Sequence, residues 1–108
     1  MYNELIYLQT MKSTTNEVGD QVETPEKVMR FARLKSIGQS EFYQAHAQGL
    51  KPEIKFVLAD YLDYGGQEEI IYNNFRYKVL RTFRTEENEI EIVCYGGIRL
   101  EVVSNGDS

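Results

Sequence analysis

The sequence predicts a mainly β protein: a small antiparallel β-barrel or roll, with one short helix in a long insertion between two strands. Three observations predict it. Short β-prone runs recur along the chain, several alternating apolar and polar residues. Tight-turn residues separate them, at Gly19-Asp20, Gly65-Gly66, Asn73-Asn74 and the Thr85–Asn88 run. Only one stretch, "SIGQSEFYQAHAQGLKPE" from Ser36 to Glu53, has helical character. Five to seven strands of this kind are best accommodated in a closed sheet, because closure removes exposed edges.

The first expected strand covers residues 4–12, followed by the polar turn of residues 13–21. Pro25 lacks an N–H group, so residues 20–24 are expected to form no more than a short or edge strand. Strand character resumes over residues 27–37, with Val28, Ala32 and Leu34 on one face and Arg33 and Lys35 on the other. Residues 53–62 follow the insertion, with Ile54, Phe56 and Leu58 sharing a face, and Gly65-Gly66 then breaks the chain.

Asn73-Asn74 predicts a type I′ hairpin, because asparagine tolerates positive φ. That turn sets Tyr72 against Phe75 and Ile70 against Tyr77 on one face, with Arg76 and Lys78 beside Ile71 and Glu69 on the other. A second hairpin through residues 85–88 is expected to pair Phe83 with Ile90 and Val79 with Cys94 inward, and Arg84 with Glu89 outward. "YGG" at 95–97 is expected to end the last strand. A single domain thus covers residues 1–97, and residues 98–108 form a tail with at most a short strand before it frays.

Composition narrows the function. The chain has 108 residues, enough for one modest core, with 42% hydrophobic residues and a formal net charge of −5. That charge argues against a whole surface devoted to nucleic acid, which needs clustered Lys and Arg. Cys94 is the single cysteine, so no intramolecular disulfide or cysteine-rich metal site is expected, in keeping with a reducing compartment. No apolar run reaches the roughly 18–20 residues of a membrane span, and no signal-peptide pattern opens the chain. The expectation is a soluble protein folded in a cytoplasm.

The helical stretch fits about residues 39–50. Ser36 with Gln39 has capping-box spacing, or Gly38 is the N-cap; Gly49 suits the C′ position, with Pro52 shortly beyond. Phe42, Tyr43, His46 and Leu50 fall within one arc of about 100°, opposite Ser40, Glu41, Gln44 and Gln48. His46, the only histidine, sits inside the apolar stripe without a nucleophile or a second metal ligand near it in sequence. No catalytic, cofactor or metal site is therefore expected, and His46 reads as a packing residue. The opposite arc is uncharged apart from Glu41, a surface that hydrogen-bonds without strongly attracting nucleic acid.

The remaining constellations have ordinary structural readings. Asp60 and Asp63 flank a turn where aspartate is common. Cys94 alternates with Ile90 and Ile92 and reads as a small core residue. Glu86, Glu87, Glu89 and Glu91 read as a solvated face. Arg30, Arg33 and Lys35, with Arg76, Lys78 and Arg84, could line a single-strand-binding groove, but strand parity turns Phe75 and Tyr77 inward and leaves no stacking platform beside them.

The order of features resembles the head–tail joining, or head-closure, proteins of long-tailed bacteriophages and related prophages. The residues that carry the likeness are "ARLKSIGQSEFYQA", with Ser40-Glu41-Phe42-Tyr43 and Ala45, then "GLKPEIKFVLADY", "YNNFRYKVLRT" with Tyr77 to Arg81, and "EIEIVCYGG". The likeness covers roughly residues 3–97. It implies a non-enzymatic virion subunit without cofactors: a small barrel whose insertion, here about 38–53, faces neighbouring subunits or the channel. It also implies a homo-oligomeric ring, dodecameric in that family, below the portal or adaptor complex. Such a ring closes the DNA-filled head and offers the surface to which tail-terminator or tail proteins attach, with packaged DNA against the channel. The protein would then reside in the virion at the head–tail interface, and in the host cytoplasm during assembly. Carried onto this chain, Ser40, Glu41, Gln44 and Gln48 would face the partner or channel, while Phe42, Tyr43, Ala45, His46 and Leu50 would anchor the insertion. The reading from another class is a stand-alone barrel, like the oligonucleotide-binding fold, that binds single-stranded nucleic acid.

Overall fold

The computed structural model describes residues 1–39 and 49–100. Alternating patterns produce six antiparallel strands: β1 (Glu4–Thr15), β2 (Gln21–Lys35), β3 (Pro52–Leu58), β4 (Glu69–Tyr72), β5 (Phe75–Arg84) and β6 (Ile90–Arg99). Their order is β1-β2-β3-β6-β5-β4, and β1 also pairs with β4, so the sheet closes on itself as a barrel. A 3-10 turn not expected from the sequence, Tyr61–Asp63, follows β3. Asp60 caps it by accepting a hydrogen bond from the Leu62 amide, 2.9 Å. The strand expected to reach residue 62 therefore stops at Leu58.

Inside the closed sheet lie Ile6, Leu8, Ala32, Phe56, Leu58, Ile70, Ile90, Ile92 and Cys94. Phe56 is the largest of them, edge-on to Tyr72 at 5.3 Å and to Tyr77 at 6.1 Å. Burial pushes the Cys94 thiol up to about 12, so it is a packed thiol with almost no thiolate at neutral pH.

Turn chemistry positions the hairpins. Asn73 and Asn74 both have positive φ, 52° and 67°, and the expected register follows: Tyr72 opposite Phe75, Ile70 opposite Tyr77. At the β1–β2 turn the Gly19 amide donates to the Asn16 carbonyl, 3.1 Å, and Gly19 takes φ 88°. This is a type I turn closed by a left-handed residue, and Asn88 (φ 65°) does the same at the β5–β6 turn.

Three expectations about strand extent and register are corrected. β2 runs unbroken through Pro25, opposite Met11. The Asn16 amide bonds to the Asp20 carbonyl, 2.9 Å, and bonded pairs alternate from there, so Pro25 falls at a non-bonded site where no N–H is needed. β6 continues through Gly96 and Gly97 to Arg99 instead of ending at the glycines. Gly96, at φ 67°, adds one residue to β6 between the Lys78–Tyr95 and Arg76–Ile98 pairs, a bulge that bends the strand and lets pairing resume. The Leu100 amide then bonds to the Asn74 carbonyl, 2.8 Å, so the tail is strand at its start. Residues 101–108 lie outside the described residues.

Leu80 makes a second bulge, on β5. Val79 faces Cys94 as expected, but beyond Leu80 the register has slipped by one, so Phe83 faces Glu91 and Arg84 faces Ile90. The expected Phe83–Ile90 and Arg84–Glu89 pairs are therefore not formed.

Gly97 is the tightest backbone position. A β-carbon there would lie 2.6 Å from the Tyr77 ring and 2.9 Å from a Glu53 carboxylate oxygen, which accepts the Gly97 amide at 2.5 Å. Gly97→Ala is expected to displace Tyr77 from Phe56 and cost about 1–3 kcal/mol, measurable by chemical denaturation.

Candidate interaction surface

β1 and β2 are longer than the barrel they help to close. β1 meets β4 only over Tyr7–Gln9, and β2 meets β3 only over Ala32–Lys35. Residues 11–15 of β1 and 21–25 of β2 therefore pair only with each other and are exposed, forming a two-stranded arm. The sequence reading divided this arm at Pro25 and so did not recognise it.

The outward face at the root of the arm is apolar, while further out the same face carries Ser13 with Glu23 and Thr15 with Gln21. Cross-strand partners share a face, which sets Leu5 with Phe31 beside Tyr7 with Met29; the Gln9–Lys27 pair then separates these from Met11 with Pro25. Met29 is 50% exposed and Phe31 55% exposed. Single exposed apolar residues are ordinary, but two adjacent apolar pairs on one strand pair mark a candidate contact surface. Beside it, a cleft of about 430 Å³ opens between the β1 edge and the Tyr64–Glu68 loop. Gln9 is buried at its wall and donates to Glu69, 2.8 Å.

Around the barrel, on the outer faces of β2, β3 and β6, the expected solvated acidic face is corrected in part. Glu86 and Glu87 are exposed at the turn, but Glu89 and Glu91 are engaged in ion pairs. Arg33 reaches both oxygens of Glu89, at 3.2 and 3.3 Å, and the Tyr2 hydroxyl donates to the same carboxylate. The Tyr2 hydrogen bond is the main cause that lowers the Glu89 carboxyl below its ordinary range; burial opposes it and Arg33 adds to it.

Lys35 and Lys55 are direct register partners, a like-charge pair that is unfavourable alone. Glu91 bridges them, 2.5 Å from Lys35 and 3.4 Å from Lys55. Lys55 is only 4% exposed although its parity places it outside the barrel. Burial alone would raise the Glu91 carboxyl; the hydrogen bonds and charges of the two lysines outweigh it, and the group titrates below its ordinary value.

The residues expected to form a basic groove are drawn into separate contacts. Arg30 pairs with Asp63 (3.6 Å), Arg33 with Glu89, Lys35 with Glu91, and Arg76 with Glu69 (3.7 Å). Arg84 lies 3.6 Å over the Tyr61 ring. Tyr77 packs against the core, as parity predicted, and Phe75 stacks on it at 6.1 Å but is only half-buried.

Of the expected insertion residues, Leu50 is described and is half-buried. Ser40, Glu41, Phe42, Tyr43, Gln44, Ala45, His46 and Gln48, and with them most of the helix expected over residues 39–50, lie outside the described residues. Among the described residues no group of three His, Cys, Asp or Glu is placed to hold a metal ion. Comparison with family models and with curated proteins finds no match to this chain.

Proposed function

We propose that the protein is a non-enzymatic assembly subunit of a phage head–tail connector, the role its sequence order resembles. In this reading, copies form a ring below the portal or adaptor complex, close the filled head and offer the surface to which tail proteins attach. The observation that carries the reading is the exposed apolar patch of Leu5, Tyr7, Met29 and Phe31 on the outer face of the β1–β2 strands. A ring subunit needs such a face, because each copy must bury part of its outer surface against the next. The patch also lies on regular paired strands, which hold an interface more rigidly than a loop does.

The single-strand-binding alternative has less support. Four of its six basic residues face carboxylates and a fifth lies over a tyrosine ring, so few free cations are left to release counterions. Electron microscopy of the protein mixed with DNA-filled, tailless heads tests the proposal. A ring seated below the portal is expected. Failure to bind heads, together with single-stranded DNA affinity that falls steeply with salt, would replace it by the alternative.

A further inference from the structure

The two free edges of the arm differ in how they resist another strand. Residues 21, 23, 25 and 27 of β2 turn their backbone bonding groups outward, and there the chain places Glu23, Pro25 and Lys27, a missing donor between two charges. On β1 the same alternation turns Met11, Ser13 and Thr15 outward, with no proline and Lys12 as the only charge along residues 11–15. Among the described residues no strand pairs with this edge. One edge is defended and the other is open.

We propose that the open β1 edge pairs with the β1 edge of a second copy of this chain, antiparallel about a two-fold axis at Ser13. Ser13 then meets Ser13 of the second copy, and Met11 meets Thr15 in both directions. All three are bonded pairs, so every outward N–H and C=O from Met11 to Thr15 gains a partner. Lys12 stands opposite Thr14 of the second copy, so no charge directly meets its like. The product is a four-stranded sheet, β2-β1-β1-β2, whose outer edges are the defended ones.

A second observation agrees with this register. β1 ends at Thr15, level with Met11 of the other copy, and the turn just beyond it brings Glu17 and Val18 to the Gln9 end of that edge. That is where the cleft of about 430 Å³ opens, lined by Met11, Tyr64 and Val79 among others. Val18 sits at the arm's turn with 79% exposure, an apolar side chain with no local use. In the pair it enters the cleft, and Glu17 approaches Lys78 on the cleft wall. Glu69, also in the cleft, is already held by Gln9 and Arg76.

A two-fold pair closes on itself and does not propagate round a ring. It therefore describes the free subunit and covers the adhesive edge before assembly, and it stands or falls independently of the connector reading. Sedimentation velocity on the full chain over a concentration series tests it. The mass is expected to rise from one copy to two. Ser13→Pro is expected to stay monomeric with an unchanged unfolding temperature, because the Ser13 N–H faces away from β2. Val18→Asp, at an exposed turn, is expected to weaken the dimer about tenfold. Amide exchange in the wild-type protein is expected to slow at Met11, Ser13 and Thr15 as concentration rises. A wild-type chain that is monomeric throughout, or a dimer that Val18→Asp and a folded Ser13→Pro both leave intact, would overturn the proposal.

Discussion

Replacing Ile92 by aspartate is expected to abolish folding, with no cooperative thermal transition and a collapsed β spectrum. Ile92 has no exposure and sits opposite Phe56 on β3 and Thr82 on β5, at the centre of the closed sheet. A carboxylate there loses its water and gains no partner. Its cost, several kcal/mol even if it protonates, approaches the roughly 5–15 kcal/mol that stabilises a domain of this size. Circular dichroism during a thermal ramp reads the result. A folded Ile92→Asp protein would mean that the inside and outside of β6 have been exchanged.

Glu91→Gln is the second large effect, expected to cost about 3 kcal/mol. The carboxylate is 12% exposed and holds Lys35 and Lys55, which oppose each other across β2 and β3. Glutamine keeps the shape but leaves two facing ammonium groups, one of them buried. Lys35→Ala, at an exposed site, is expected to cost less than about 1 kcal/mol, which separates loss of one surface contact from loss of the carboxylate that both lysines share. The pH dependence has a definite sign. The Glu89 and Glu91 carboxyls titrate lower in the folded chain than their ordinary value of 4.5. Their contribution is therefore complete above pH 4.5 and is lost as pH falls below it through the folded values. Glu91→Gln is expected to be less stable at pH 7 and to lose less on acidification than the wild type. Denaturant midpoints measured from pH 7 to pH 3 check both statements.

Much of the barrel was legible because its signals are local. Asn73-Asn74 determines its hairpin through two backbone angles that few other residue pairs tolerate, and the pairing of Ile70 with Tyr77 follows by counting. Val79 opposite Cys94 was reached in the same way. Counting failed where a residue was added. Leu80 and Gly96 each bulge, and only the balance of the two bulges keeps β5 and β6 in step; neither bulge has a one-residue signature strong enough to locate it. Pro25 misled for a related reason. Its missing donor excludes one half of the sites in an edge strand, and which half it occupies depends on the turn eight residues away. The burial of Lys55 was hidden as well, because strand parity separates two faces of a sheet but does not say that both are covered.

The contact surface was harder to see than the core. Leu5, Tyr7, Met29 and Phe31 alternate with Ile6, Leu8, Val28, Arg30 and Ala32, so the root of the arm reads as strand apolar on both sides. Sequence alone does not say which side meets the barrel interior. The structure assigns Ile6, Leu8 and Ala32 inward and leaves the other set exposed.

The double substitution Met29→Glu, Phe31→Glu tests the assembly reading most directly, because both side chains point away from the barrel and are exposed. Binding of the variant to DNA-filled, tailless heads, counted by electron microscopy beside the wild type, is the measurement. The predicted result is a folded protein, unchanged in unfolding temperature, that no longer seats below the portal. A variant that forms the ring as well as the wild type would show that the apolar face of β1 and β2 is not the assembly surface.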